Sequence, residues 1–233
     1  MALIEFKNVT KQYFTGLHII NALDEASFSI DKGEFVVILG PSGAGKSTLL
    51  NLLGGMEKAA SGEIIVDGKN IAALNDKKMT KYRASDVGFV FQFYNLIPTL
   101  TAIENIELIS DICDNAMTAS QVLDEVGLLD HKYQFPSQLS GGEQQRVSIA
   151  RAICKNPKML LCDEPTGALD SETGVQILTL LQSLSREKGT TVIIVTHNAA
   201  LAEAADKIIK VKNGKIKDVI INENPKAVCE VNW

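Results

Sequence analysis

Arginine is scarce. The 233-residue chain has four, Arg83, Arg146, Arg151 and Arg186, and kinases that clamp two phosphorylated substrates usually draw on more. A basic excess is missing as well. Lys and Arg number 23 against 28 Asp and Glu, a net charge of −5, whereas nucleic-acid binders usually present a basic face; no nucleic-acid partner is expected. Long apolar runs are absent. Phe35–Leu39 is apolar but far short of the roughly 18 to 20 residues that cross a bilayer. Met1-Ala2-Leu3-Ile4-Glu5 lacks a basic stretch followed by an apolar one, so no secretory leader is expected and the chain should stay in the cytosol. The four cysteines, Cys113, Cys154, Cys162 and Cys229, are scattered, and so are the three histidines. No zinc site is expected from that spacing, and Cys154 and Cys162 fall in apolar stretches that read as buried. An Asn-Lys-x-Asp guanine-recognition motif is also missing; Asn213-Gly214-Lys215 reads as a turn.

What is present is ordinary for one large globular domain, with 45% hydrophobic and 22% charged residues. Ile4–Val9 and Ala26–Ile30 alternate, as half-exposed strands do. Phe35–Leu39, Met159–Cys162 and Thr191–Val195 are short continuous apolar runs, and Val87–Phe91 is a further one. Such runs mark strands buried on both faces. Ile64–Val66 with Asp67-Gly68, and Ile208–Val211 with Asn213-Gly214 and Ile216–Ile221, read as hairpins. Between about Leu100 and Lys155 the pattern turns helical. Thr101 with Glu104 and Thr118 with Gln121 form capping boxes. Ile103, Ile106 and Ile109 share one helix face, and Val122, Leu123 and Val126 share another. Val175–Leu184 is a further amphipathic helix. The pattern predicts an α/β fold: a mostly parallel core, an antiparallel β layer near the N-terminus, and an inserted helical subdomain at about 94–157 within a single domain spanning 1–233.

Gly40-Pro41-Ser42-Gly43-Ala44-Gly45-Lys46-Ser47 follows a buried strand and opens the helix predicted over Lys46–Leu53. This is the context of a phosphate-binding loop. Glycines let successive N–H groups converge on one phosphate, and the helix N-terminus adds positive potential. Lys46 should reach the β- and γ-phosphates and Ser47 should ligate Mg²⁺. The run Met159–Cys162 ends in Asp163-Glu164. Asp163 can face the metal, and Glu164, one residue on, can polarise a water aimed at the γ-phosphate. Gln92 ends another strand and could touch Mg²⁺ or the attacking water, although a lone glutamine there also reads as a surface residue. His197, after Thr191–Val195, could contact the γ-phosphate or simply be solvated. Ser140-Gly141-Gly142-Glu143 is itself a capping box, a well-made helix start, and the same amides can hold an anion.

Together these residues resemble the ATP-binding cassette superfamily over essentially the whole chain. Gly40–Ser47 matches its Walker A motif with Thr48 following, Gln92 the Q-loop, and Leu139–Glu143 the signature. Met159–Asp163 matches Walker B with Glu164 as catalytic carboxylate, Ala168-Leu169-Asp170 the D-loop, and His197 the switch histidine. Tyr13 matches the aromatic residue that stacks on adenine. The resemblance implies ATP and Mg²⁺ as ligands and a head-to-tail homodimer, with each ATP held between Gly40–Ser47 of one copy and Ser140-Gly141-Gly142 of the other. It also implies an integral-membrane permease as a separate chain, docking near Phe93–Asn105, and hence a place on the inner face of the membrane.

A finer likeness lies in Phe89–Gln92, Asn95–Pro98, Leu53-Gly54-Gly55 and Pro165–Asp170. These are similar to the subgroup of macrolide exporters, lipoprotein-release ATPases, peptide-antibiotic resistance ATPases and the cell-division ATPase. That subgroup implies a motor for export or extrusion; the alternative is an ATPase that signals to a cell-wall hydrolase or sensor kinase without moving cargo. No extra C-terminal β domain is expected. Cys162, where alanine is commoner, and Ile109-Ser110, where a proline often follows, depart from the pattern.

Overall fold

The computed structural model describes residues 2–16, 18–110, 113 and 116–232. Met1, part of the N-terminal stretch from which no secretory leader is expected, lies outside them.

The alternating N-terminal segments form two long antiparallel strands, β1 (Ala2–Thr15) and β2 (His18–Asp31). Ile4, Phe6 and Val9 of β1 and Ala26, Phe28 and Ile30 of β2 are buried. Phe6 and Phe28 are cross-strand partners whose rings stack at 4.5 Å, an arrangement that stabilises a strand pair beyond its area burial. β4 (Ser61–Val66) and β5 (Lys69–Asn70) complete a four-stranded sheet in the order β2-β1-β4-β5. Asp67 and Gly68 join them with φ of 49° and 73°, the positive pair that a two-residue hairpin turn requires.

The apolar runs form the second sheet. β3 (Phe35–Leu39), β6 (Val87–Val90), β7 (Met159–Asp163), β8 (Thr191–Thr196), β9 (Lys207–Lys212) and β10 (Lys215–Ile221) stand in the order β10-β9-β3-β8-β7-β6. All neighbours are parallel except β9 and β10. Period-two alternation splits each strand between two cores. Phe35, Val37, Leu160, Cys162, Val192 and Ile194 face the helices. Val36, Ile38, Met159, Leu161, Ile193 and Val195 face β1, β2 and α1 (Lys46–Leu53). Burial on both faces is why these strands carry no polar alternation. Burial also pushes up the thiols of Cys162 in β7 and of Cys154 in the chain's helical region, the latter to about 11, keeping both protonated and inert.

α2 (Asp76–Ser85) is a helix the hydrophobic pattern did not predict. Only Met79 and Tyr82 of it are buried, too few for a periodic stripe. It is set by the Asn75 N-cap, whose side chain accepts the Lys78 N–H, and by the Tyr82 hydroxyl, which donates to the Leu53 carbonyl at 2.7 Å.

Between β6 and β7 lie α3 (Ala102–Ser110), α4 (Ala119–Glu125) and α5 (Gly141–Ile153). The boxes at Thr101/Glu104 and Thr118/Gln121 form as their sequence indicates. Ile106, Val122, Leu123, Val147, Ile149 and Ile153 join the core on the helical face of the sheet. Asn105 is fully buried and donates to the carbonyls of Ile97, Leu100 and Thr101 while accepting the Ile97 N–H. That fixes the loop entering α3. α6 (Ser171–Lys188) then covers the sheet through Ile177, Leu178, Leu181 and Leu184, and ends at Gly189 in a left-handed C-cap.

Parallel pairing has one consequence for function. Leu39 pairs with Thr196, Asp163 with Val195, and Val90 with Cys162. The strands therefore finish at one edge, where open α/β sheets bind ligands.

Candidate nucleotide site

That edge opens into a cavity of about 800 Å³. Residues 42–48 form one wall, and Gln92, Asp163, Glu164 and His197 converge on it. Four separate strand ends supply these groups, so their proximity is a product of the topology.

The loop between β3 and α1 is tightly enclosed. Gly45 has φ of 103°, and a Cβ there would stand 2.2 Å from the Ala22 carbonyl oxygen. At Gly40 a Cβ would stand 2.2 Å from the Val211 carbonyl oxygen. Both positions therefore exclude every side chain. The Asn213-Gly214 turn braces the loop from outside, because the Gly214 N–H donates to the Ala44 carbonyl at 2.9 Å.

Lys46 is buried, and its ammonium donates to the loop's own carbonyls, Gly40 at 2.8 Å and Pro41 at 3.1 Å. A buried cation held by neutral carbonyls is ready for an anionic ligand. The Ser47 hydroxyl donates to the Asp163 carboxylate at 3.3 Å. Glu164 has φ of 47°, a conformation that costs a non-glycine residue of the order of 1 kcal/mol or more. Its carboxylate accepts from the Thr196 hydroxyl at 3.2 Å and lies 3.0 Å from His197 Nδ1. The Gln92 amide rests against Gly167, where a Cβ would come within 2.7 Å of Nε2.

Burial raises the pKa of Asp163, the adjacent Glu164 charge adds to it, and the Ser47 hydrogen bond and Lys46 oppose it. A carboxyl raised above its unfolded value contributes stability below the unfolded value, and that contribution is lost as pH rises through the folded one. At neutral pH the ionised Asp163 is thus a liability that a bound cation would relieve, and the paired Ser47 and Asp163 oxygens fit Mg²⁺. Asp163→Asn is expected to raise the melting temperature of the nucleotide-free chain at pH 7 and to cancel the extra stabilisation that Mg²⁺ adds to ATP. Thermal scans with ATP, with and without Mg²⁺, measure both; an undiminished Mg²⁺ increment would remove Asp163 from the metal site.

Other predicted residues lie elsewhere. Gly40 and Pro41 sit at the base of the loop, and Tyr13 does not line the cavity. Its hydroxyl donates to the Glu57 carboxylate at 2.6 Å, and the Lys11 ammonium sits 5.1 Å over its ring. Its cross-strand partner Ile20 is in the cavity wall instead. Ser140, Gly141, Gly142 and Glu143 begin α5 away from this cavity. Ser140 caps the helix, and Glu143 returns to the Ser140 N–H at 2.7 Å. That bond is the chief reason its carboxyl falls below the usual range. Asp170 caps α6 by accepting from the Thr173 N–H and hydroxyl at 3.0 and 2.7 Å, which lowers its pKa in the same way. Neither residues 140–143 nor Asp170 lines the cavity beside residues 42–48.

Sequence reasoning missed Ile20, Asn21, Ala22 and the Asn213-Gly214 turn as cavity wall. The Asn-Gly turn was legible, but its docking on Ala44 is a long-range contact without a local signal.

Comparison with known proteins agrees with this geometry. The ABC transporter family model matches residues 23–167. An uncharacterized ABC transporter ATP-binding protein of Methanocaldococcus jannaschii, MJ0796, is 46% identical over 92% of this chain and 95% of its own length. The dimeric structure of that cassette in a post-hydrolysis state, bound to ADP and Pi, superposes with a TM-score of 0.85 at 44% identity over 94% of this chain and 98% of its own. A putative ABC transporter ATP-binding protein of Mycoplasma genitalium is 45% identical over 99% of this chain. The macrolide export ATP-binding/permease protein MacB of Photorhabdus laumondii is 44% identical over 92%. The chain spans about half the length of the Mycoplasma relative and 34% of MacB.

Proposed function

This chain belongs to the ABC transporter family as an ATPase cassette, and on that premise we propose that it binds and hydrolyses ATP to drive a separate integral-membrane permease. The observation that carries the reading is the convergence of residues 42–48, Gln92, Asp163, Glu164 and His197 on one cavity at the sheet edge. None of the described helices is long and apolar enough to cross a membrane. We accordingly assign the chain to the cytoplasmic face, held there by its permease, with its helical subdomain at about 94–157 forming the docking side.

In this mechanism Lys46 leaves the Gly40 and Pro41 carbonyls for the β- and γ-phosphates. Ser47 and Asp163, with Gln92, would hold Mg²⁺, which would supply positive charge against the phosphates. Glu164 accepts a proton from the attacking water. His197, already 3.0 Å from Glu164, turns to the γ-phosphate. The start of α5 in a second copy covers the open side, with Ser140, Gly141, Gly142 and Glu143 around the γ-phosphate and Asp170 at the dimer seam. Tyr13, which bonds Glu57 outside the cavity wall, would have to turn from that contact to stack on adenine. The dimeric form of the MJ0796 cassette supports the pairing. The Phe89–Gln92 and Pro165–Asp170 segments, with the MacB relationship, favour an export or extrusion permease.

The purified chain is expected to release phosphate from ATP in the presence of Mg²⁺, and to stop when the metal is chelated. Affinity capture from membranes should recover one multi-span protein. Absence of turnover both alone and with that membrane fraction would overturn the reading.

A further inference from the structure

Gln145 lies on the first turns of α5 and is completely buried, though a glutamine on the surface of this helix would cost nothing to hydrate. Its Nε2 donates to two backbone carbonyls, Phe91 at 3.2 Å and Pro165 at 2.7 Å. Phe91 immediately precedes Gln92, and Pro165 immediately follows Glu164. Two carbonyl acceptors fix the amide orientation, since Oε1 cannot face them. Oε1 itself is buried without a hydrogen-bond partner among the described residues.

Further along α5, Arg151 donates to the carbonyls of Tyr94 and Asn95, at 3.0 Å to the former and 2.6 Å to the latter. Those two residues have φ near 50°. At the N-terminal end, a Cβ on Gly141 would stand 2.8 Å from the Tyr94 hydroxyl. The Gln92 loop is therefore clamped along this one helix, and Gln145 hydrogen-bonds both that loop and the segment after Glu164.

We propose that Gln145 is a positioning residue that couples the two nucleotide sites of the dimer. The inference rests on the shared-site reading above. The start of α5 serves the partner's ATP, whereas Gln92 and Glu164 serve the protomer's own. Gln145 joins them through one amide. When ATP in the partner seats against Ser140-Gly141-Gly142, the resulting shift of α5 is transmitted to Gln92 and Glu164 of the same protomer. A rigid, buried, two-acceptor contact transmits such a shift, because packed interiors move as units.

Gln145→Met keeps length and volume but removes both donors. Gln145→Glu places a carboxylate against two carbonyls, and donates one bond only when protonated. Steady-state ATP hydrolysis, its Hill coefficient, and nucleotide affinity of the monomer without Mg²⁺ are measured for both. Gln145→Met is expected to lower kcat by about 30- to 100-fold, the scale of a 1 Å misplacement. Its Hill coefficient falls from about 2 towards about 1, while monomer affinity stays within about twofold. The ratio of Gln145→Glu to parent kcat rises as pH falls, because the protonated acid restores one donor. Ser148→Ala, which trims a buried hydroxyl one turn along the same helix, controls for packing and keeps kcat.

Parent-like kcat and Hill coefficient in Gln145→Met overturn the proposal. So does a loss of kcat with the Hill coefficient retained, which would make the contact local to one site. If Gln145→Met does not fold, Gln145→Glu is read alone across pH, and a ratio that does not rise as pH falls is equally fatal. Failure of the parent to hydrolyse ATP instead strikes the proposed function, so the two outcomes are separable.

Discussion

Glu164→Gln is expected to lower kcat for ATP by about 10³-fold, the middle of the range for removing a positioned general base, while leaving nucleotide affinity near that of the parent. The substitution preserves shape and keeps an oxygen for the Thr196 hydroxyl, which lies 3.2 Å away. It removes the negative charge that would take a proton from water. The positive φ at Glu164 is retained, so backbone strain is equal in both proteins and the comparison isolates the carboxylate. In the proposed mechanism residues 42–48, Lys46 among them, grip the phosphates and Glu164 does not, so binding should be spared. Phosphate release and equilibrium nucleotide titration measure the two halves. Parent-like turnover would show that some other group activates the water.

Ser140→Arg is expected to abolish hydrolysis, by more than about 10²-fold, while the monomer still binds nucleotide. The loss is of the size seen when a donor set that stabilises transition-state charge is removed. Within its own protomer Ser140 does not line the cavity, so a change there removes no direct contact to that protomer's nucleotide, and monomer affinity should be spared. The substitution also removes an N-cap, which costs about 1 kcal/mol. Ser140→Ala loses the same cap without the bulk, and therefore separates a weakened helix from a blocked partner site: it should keep a substantial fraction of turnover. Equal loss in both variants would mean that α5 stability, and not coverage of the second site, sets the rate.

Local chemistry made much of this fold readable. The phosphate loop, the buried strand preceding it and the helix following it are contiguous in sequence, and β3 and α1 have the predicted bounds. The capping boxes at Thr101, Thr118 and Ser140 involve residues three apart, and each forms. α2 stayed hidden because Met79 and Tyr82 are its only buried residues, and an anchor to the Leu53 carbonyl leaves no periodic trace. β1 and β2 extend well beyond their alternating segments: their outer halves carry exposed Phe14, Ile19 and Ile20 and are joined by the backbone ladder and by the Gln12 amide, which donates to Asn21 Oδ1. Gln145 reads as one polar residue in a polar run. Its role depends on Phe91 and Pro165, 54 and 20 residues away, and no local pattern encodes such a contact.

Sharing of each site between two copies is tested most directly by sedimentation velocity on Glu164→Gln. With ATP present, the account predicts a species of twice the monomer mass, which dissociates when ATP is replaced by ADP. A strictly monomeric boundary at saturating ATP, in a preparation whose parent is fully active, would contradict it.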